Sequence, residues 1–270
     1  MDTTGPRTAE SLAARFHDVD SSGVPEDFIA YLRKMEESES GRAVRETTYR
    51  ALEAAGGRGT DVGCGAGRAV ADLVGLGKDA VGVDSSQAMV DAALARFPDC
   101  RFVQGSAFEL PFEDGELSWY RSERTFLHFG DPAEALSEAR RVLEPGGTLV
   151  LADPDLGSMV VSSRIPGTTE AVKHAFCSAV PNPHSGTRSA SHLADAGFTG
   201  IEVVPIMAAL NDHASAFGVV LEPALTAALT QGVVSEEEAA RWKDDLSDLS
   251  RRNAFTATAT FFVTTARRAS

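Results

Sequence analysis

The sequence predicts an α/β fold built on one mostly parallel sheet with helices on both faces. Three observations carry this. Apolar strand-like runs alternate with helical stripes between residues 58 and 152, and a glycine-rich turn, TDVGCGAG at residues 60–67, sits between a strand and a helix. Near the C-terminus, Phe255, Ala257, Ala259, Phe261 and Val263 alternate with Thr256, Thr258, Thr260, Phe262 and Thr264. Alternating β and α elements require right-handed crossovers, which make neighbouring strands parallel and cover both faces of the sheet. At 270 residues and 43% hydrophobic content the chain is long enough for one well-buried core with appended helices.

The N-terminal part reads as helices. Leu12, Phe16 and Val19 share one face of a first helix. A second follows Pro25, whose fixed φ suits a first helical turn, and carries Phe28, Leu32 and Met35. A third is expected from Arg42 to Ala55, ended by Gly56-Gly57. The glycine turn then leads into a helix with Val70 and Leu73, and Ala80 to Val83 forms a strand ending at Asp84. A helix over Gln87 to Arg96, strands at Arg101 to Gln104 and Leu117 to Tyr120, and a helix from Pro132 to Leu143 follow. Glu144-Pro145-Gly146-Gly147 stops that helix and launches the strand Thr148 to Ala152.

Beyond a helical and loop region at 156–191, a helix ends at Ala196-Gly197 and a strand runs from Ile201 to Ile206. Two further helices precede the last strand, the second opening on a capping box from Ser235 to Glu238 with the stripe Ala239, Trp242, Leu246 and Leu249. Two late strands joined in this way can pair antiparallel at a sheet edge.

Charge and composition narrow the function. With 25 Lys+Arg against 39 Asp+Glu the formal charge is −14, which repels polyphosphate backbones, and no basic stripe compensates. Nucleic acid is not the expected partner. No run approaches the ~20 apolar residues of a membrane span, and the N-terminus lacks the apolar stretch of a signal peptide, so a cytoplasmic protein without membrane contact is expected. Cys64, Cys100 and Cys177 form no CxxC or Cys/His cluster, which suggests neither zinc nor disulfides. Asp153 and Asp155, flanking Pro154, lack further metal ligands and read as solvated strand-end carboxylates.

The chemistry concentrates at the strand ends. Gly63, Gly65 and Gly67 let the backbone approach a ligand at a helix N-terminus. A dinucleotide fingerprint would place Gly or Ala where Arg68 stands, so the spacing points away from NAD or FAD. Asp84 lies 84 − 63 = 21 residues after the first glycine, where a carboxylate accepts from both hydroxyls of a ribose; alternatively it caps the helix starting near Ser86.

Together, DVGCGAG, VGVDSS, GSAFELPFEDG and RVLEPGG resemble the ordered motifs of class I S-adenosylmethionine-dependent methyltransferases, over residues 58–153 and, through LADAGF and the late strands, most of the remainder. The resemblance is closest to small-molecule enzymes such as the quinone methyltransferases and natural-product tailoring enzymes. It implies a Rossmann-like sheet of seven strands in the order 3-2-1-4-5-7-6 with strand 7 antiparallel. One domain would span 1–270, with lid helices at 1–57, a cofactor-binding core at 58–153, and acceptor-side helices with the final strands at 154–270.

Carried over by position, the resemblance implies that S-adenosylmethionine lies along Gly63, Cys64, Gly65 and Gly67, with Asp61 holding its amino acid group and Arg121, just after the fourth strand, lining the methionine pocket through its backbone. Asp84 with Ser85 takes the ribose, Met89 packs on the adenine, and Ser106 and Ala107 meet its edge. Ser106 stands where the family usually has an Asp, Ser118 replaces another common Asp, and Arg58-Gly59-Thr60 replaces the apolar run of the first strand.

For transfer to an oxygen or an activated carbon a general base helps, and His128, after the fourth strand in RSERTFLHFGDP, is the first candidate. His17 and His184 are weaker ones. Tyr31, Phe16 and His184 are expected at the small-molecule acceptor, and Phe28, Phe176 and Phe217 add apolar surface. Glu123 and Arg124 read as solvated or locally paired. The expected activity is methyl transfer to O, N or C of a small organic acceptor, a secondary-metabolite intermediate. A methyltransferase-like cyclase, a non-catalytic cofactor-binding protein and a homodimer stay open at this point.

Overall fold

A computed structural model of the chain describes residues 19–210 and 213–270. Seven strands form one sheet: β1 (Arg58–Val62), β2 (Asp79–Asp84), β3 (Arg101–Gln104), β4 (Leu117–Glu123), β5 (Leu143–Val161), β6 (Phe198–Ala209) and β7 (Ala257–Arg268). Their order is β3-β2-β1-β4-β5-β7-β6. The first five pair in parallel, and β7 runs antiparallel to both β5 and β6. This is the expected topology. The order reverses direction between β1 and β4, and the crevice beyond the carboxyl ends of those strands is where open α/β sheets receive ligands.

The helices are α1 (Pro25–Glu37), α2 (Glu39–Ala51), α3 (Arg68–Gly75), α4 (Gln87–Arg96), α5 (Ala133–Val142), α6 (Pro166–Ala179), α7 (Ser185–Asp195), α8 (His213–Ala216), α9 (Glu222–Thr230) and α10 (Glu236–Arg251). A 3-10 turn at Phe126–His128 follows β4, and a π-helical turn at Phe217–Leu221 joins α8 to α9. The helix expected at 42–55 starts and ends earlier, because Ser38 accepts from the Gly41 amide as its N-cap. Its C-terminal carbonyls meet Lys78, whose Nζ donates to Leu52, Glu53 and Ala55. Of the expected first helix only Val19 lies within the described residues, in a turn.

The unusual first strand has a packing cause. Gly59 pairs directly with Trp119 of β4, which is fully buried, and a Cβ on Gly59 would lie 1.9 Å from the indole ring. The indole thus occupies the space that an apolar β1 side chain would take. Thr60 buries its hydroxyl at no cost in unmade bonds, since its Oγ1 donates to the Val81 carbonyl at 2.9 Å.

Two helical layers frame the crevice. On one side Phe28 of α1 packs with Val19 and with Met89 of α4. Asp20 adds a long-range cap: its carboxylate accepts from Ser86 Oγ and from the Gln87 and Ala88 amides at the start of α4. On the other side α6, α9 and α10 bury Val172, Phe176, Leu225, Trp242 and Leu246 together. Trp242 Nε1 donates to Thr169 Oγ1 at 2.9 Å, and the capping box of Ser235 and Glu238 starts α10 as its spacing implies.

The pairing of Gly59 with Trp119 predicts strong coupling. Gly59→Ala should lose about 3 kcal/mol or more in urea unfolding through overpacking. Combined with Trp119→Val, the loss should fall short of the sum of the single losses by at least ~1 kcal/mol; strict additivity would contradict the packing account.

Candidate active site

The crevice at the switch point is a cavity of about 670 Å³. Its floor comes from β1, β4 and the loops after them, and two features of the sequence shape it. Gly63 has φ +72°, and a Cβ there would fall 2.2 Å from Thr125 Oγ1; Gly65 has φ +50°, and its Cβ would fall 2.9 Å from Leu32 of the lid. Only side-chain-free residues keep this bend open between β4 and α1.

Asp84 ends β2 at the cavity wall. Its carboxylate accepts from the Gly65 amide at 2.8 Å and the Ser86 amide at 3.0 Å, which ties the second strand to the glycine turn. Burial pushes its pKa upward against those two amides. The cap of α4 is not Asp84 but Ser86, whose Oγ accepts from the Met89 amide. Ser85, Met89, Gly105, Ser106 and Ala107 also line the cavity. Ser106 Oγ accepts from the Phe108 amide at 3.1 Å, closing a local turn.

Under the floor lies a cluster of buried charge, in which Glu123 and Arg124 pair locally, one of the two expected arrangements, and not the solvated one. Arg121 does not follow β4 but lies within it, because the strand continues to Glu123. Its side chain is 1% exposed. The guanidinium donates to Asp61 Oδ1 at 2.5 Å, to Glu123 Oε2, and to Thr48 Oγ1 of α2 at 2.8 Å, and it lies over the ring of Tyr49. Glu123 Oε1 faces Arg124 Nη2 at 2.6 Å. Burial alone would lower the Arg121 pKa, but Asp61 and Glu123 outweigh it and hold the guanidinium protonated. Asp61 is raised by the same burial, with Arg121 opposing. Charges this dry persist only as partners, which is why the three residues come together. An alternation of Arg and Glu in a strand otherwise buried on both faces was the available signal.

Beyond β4 the wall changes character. Pro154, Leu156, Met159, Phe176, Val180, Val219, Val220, Ala259 and Phe261 line it, from β5, α6, the π-helical turn and β7. Tyr31 of α1 lines it too, and its hydroxyl donates to the Val219 carbonyl at 2.9 Å, joining the two helical layers above the cavity. Burial pushes the Tyr31 phenol up to about 12, with the Arg124 charge opposing. His128 closes the 3-10 turn, half-buried, and lines the cavity beside Leu127 and Phe129.

Several expected residues fall elsewhere. His184 is not among the cavity-lining residues; its Nδ1 sits 3.0 Å from Asp155 Oδ1. Phe28 and Phe217 pack within the helical layers, whereas Phe176 reaches the cavity. Gly67 opens α3 but turns its bare face toward Phe102 in the core. Phe16 and His17 lie outside the described residues. Asp153 and Asp155 are buried rather than solvated: Asp153 accepts from Ser185 Oγ and Asp155 from Thr187 Oγ1 and the Gly157 amide. The cysteines are free, and burial raises the Cys64 thiol well above its ordinary range, so it lines the cavity as an inert group.

The Asp153 carboxyl is pushed up to about 7 by burial, against the Ser185 hydroxyl. Between its ordinary value and 7 the folded state therefore binds the extra proton, and stability falls as pH rises through that window by up to about 1.4 kcal/mol per unit. Asp153→Asn should flatten this decline in urea unfolding measured from pH 4 to 7; an unchanged slope would show that the carboxyl is not perturbed.

Comparisons with known proteins agree with this geometry. A family model described as a methyltransferase domain matches residues 60–151. An uncharacterised 37.1 kDa transposon protein of Streptomyces fradiae is 34% identical over 250 residues, covering 89% of this chain and 72% of that protein. The demethylmenaquinone methyltransferase of Beutenbergia cavernae is 39% identical over 113 residues, which span 42% of this chain and 47% of that protein. Among solved structures, the YcgJ protein of Bacillus subtilis superposes with a TM-score of 0.61 at 18% identity, covering 85% of this chain and 99% of that one. A phosphoethanolamine N-methyltransferase from Haemonchus contortus, solved with phosphomonomethylethanolamine and S-adenosylhomocysteine, gives 0.60 at 19% identity, covering 94% of this chain and 61% of that one.

Proposed function

This chain belongs to the class I S-adenosylmethionine-dependent methyltransferases, and we propose that it methylates an O, N or C atom of a small, largely apolar organic acceptor, an intermediate of natural-product biosynthesis. The observation that carries the acceptor reading is the wall beyond β4, where nine cavity-lining residues from β5, α6, the π-helical turn and β7 are all apolar. An enclosed apolar wall suits an organic skeleton and keeps water from the reacting centre.

The residues on the other side of β4 fit the cofactor. The open bend at Gly63 and Gly65 admits its methionine end next to the backbone, with Cys64 offering main chain there. Asp84 keeps lone pairs beyond its two amide bonds for the ribose hydroxyls, beside Ser85. Met89 closes over the base, and the Ser106 hydroxyl and Ala107 meet its edge; where the family usually places a carboxylate, a hydroxyl can donate to a ring nitrogen. Asp61 and Arg121 act from below, since their side chains are spent on each other. When bound, the cofactor supplies a sulfonium-activated methyl group.

The protein's share of the chemistry is positioning. In-line approach of nucleophile to methyl carbon is the main requirement, and Tyr31 helps to impose it by holding α1 against the Val219 carbonyl above both ligands. His128 stands at the border of the two halves as the general base for an acceptor that must lose a proton. Residues 1–57, 58–153 and 154–270 thus serve one catalytic unit as lid, cofactor support and acceptor chamber.

The test is calorimetry with S-adenosylhomocysteine combined with transfer of labelled methyl to a panel of apolar phenols, amines and enols. Asp84→Ala should weaken S-adenosylhomocysteine by about 1–3 kcal/mol. His128→Ala should leave that affinity unchanged and lower kcat by a factor on the order of 10² or more, with the largest loss on acceptors of high pKa. Absence of cofactor binding by the folded protein would end the proposal; product formation without label would favour a cyclase or rearrangement instead.

A further inference from the structure

A fixed positive charge stands at the edge of the apolar chamber. Among the described residues lining the cavity beyond β4, from β5, α6, the π-helical turn and β7, none is titratable, and Arg124 stands at the border, on the bend that follows β4. Its backbone is held in an unusual way. The Arg124 amide still donates to the Ala152 carbonyl of β5 at 2.9 Å, yet its φ is +56°, a left-handed conformation that non-glycine residues seldom adopt. Such strain persists where the surroundings over-determine it, and here it turns the side chain away from the strand alternation to the cavity wall.

The guanidinium is only partly answered. Its Nη2 faces Glu123 Oε1, but Glu123 is already engaged by Arg121 through Oε2, so one carboxylate serves two guanidiniums. Arg124 Nη1 is buried and has no hydrogen-bond partner among the described residues. A cationic donor left unmade is costly, and because Nη1 is closed off while the side chain as a whole is 18% exposed, a turn of the guanidinium would bring it to an oxygen acceptor supplied by a ligand. Arg124 and Tyr31 line the same cavity.

We propose that Arg124 selects acceptors that carry an anionic oxygen, a carboxylate, phenolate or enolate, on an otherwise apolar skeleton, and orients them by that oxygen while the skeleton fills the chamber. The inference rests on the methyltransferase reading above and narrows its acceptor class. Arg124 is a specificity and positioning residue in this account. Neutral or cationic acceptors of the same shape would leave Nη1 unpaired and pay for it in affinity.

The experiment uses the full chain saturated with S-adenosylhomocysteine, into which 2-naphthoate and its neutral isostere 2-naphthamide are titrated by calorimetry. Naphthoate should bind about tenfold or more tightly than the amide. Arg124→Gln should abolish the difference, Arg124→Lys should keep part of it, and S-adenosylhomocysteine affinity should stay within about twofold in both variants. Equal affinity for the two probes in the parent protein, or failure of both to bind at millimolar concentration, would overturn the proposal. So would an Arg124→Gln variant that loses S-adenosylhomocysteine while retaining the preference for naphthoate, since the guanidinium would then be holding the cofactor's own carboxylate. Should Arg124→Gln not fold, the contrast between the two probes in the parent and in Arg124→Lys decides. Failure of the parent to bind S-adenosylhomocysteine would instead count against the methyltransferase reading beneath it.

Discussion

A guanidinium removed from water must be surrounded by acceptors, and at Arg121 this requirement organises the molecule. Its partners come from three elements: Asp61 from β1, Glu123 from the end of β4, and Thr48 from α2. Strands β1 and β4 are the neighbours between which the sheet reverses its order, so the cluster sits directly beneath the crevice. Because Thr48 belongs to α2, the same contact fixes the second lid helix to the floor. Further ion pairs extend the hold, with Arg96 donating to Glu36 at 2.8 Å and Arg68 to Asp72 at 2.9 Å. Those outer pairs are partly solvated and contribute little individually. The inner ones cannot be broken singly without leaving a buried charge behind.

Above that floor the sheet order divides the labour. Residues from β1, β2 and the loop after β3 offer bare backbone, a carboxylate and small side chains on one side of β4, whereas β5, β7 and the C-terminal helices offer a greasy wall on the other. The ends of β4 mark the border between these two walls, and the RSERT segment and its 3-10 turn place Arg124 and His128 at that border, where the proposed function puts the methyl transfer. Tyr31 and the Val219 carbonyl close the roof from opposite ends of the chain.

Most of the fold was legible because its signals are local. Strict alternation from Phe255 to Thr264 announced β7, Pro25 and the Ser235 capping box announced α1 and α10, and the glycine bend with Asp84 marked residues that line the crevice. What stayed hidden depends on partners distant in sequence. Gly59 reads as a weak strand residue until Trp119 is seen beside it. Asp20 caps α4 from 66 residues away, a contact with no local sequence signal. Glu123 and Arg124 read as solvated or locally paired because charge in sequence usually is; only the pairing of β4 between β1 and β5 shows that the strand has no exposed face and that the pairs are buried. His184 drew attention as a histidine near the C-terminal helices, but its partner Asp155 lies outside the cavity wall.

Paired buried charge, not packing alone, holds the floor of the site in shape. Equilibrium urea unfolding of Arg121→Met tests it most directly. The account predicts a loss of about 3–5 kcal/mol, because Asp61 and Glu123 would be left buried and uncompensated, and recovery of much of that loss when Asp61→Asn and Glu123→Gln are added. An Arg121→Met protein as stable as the parent, or a triple variant no more stable than the single one, would contradict it.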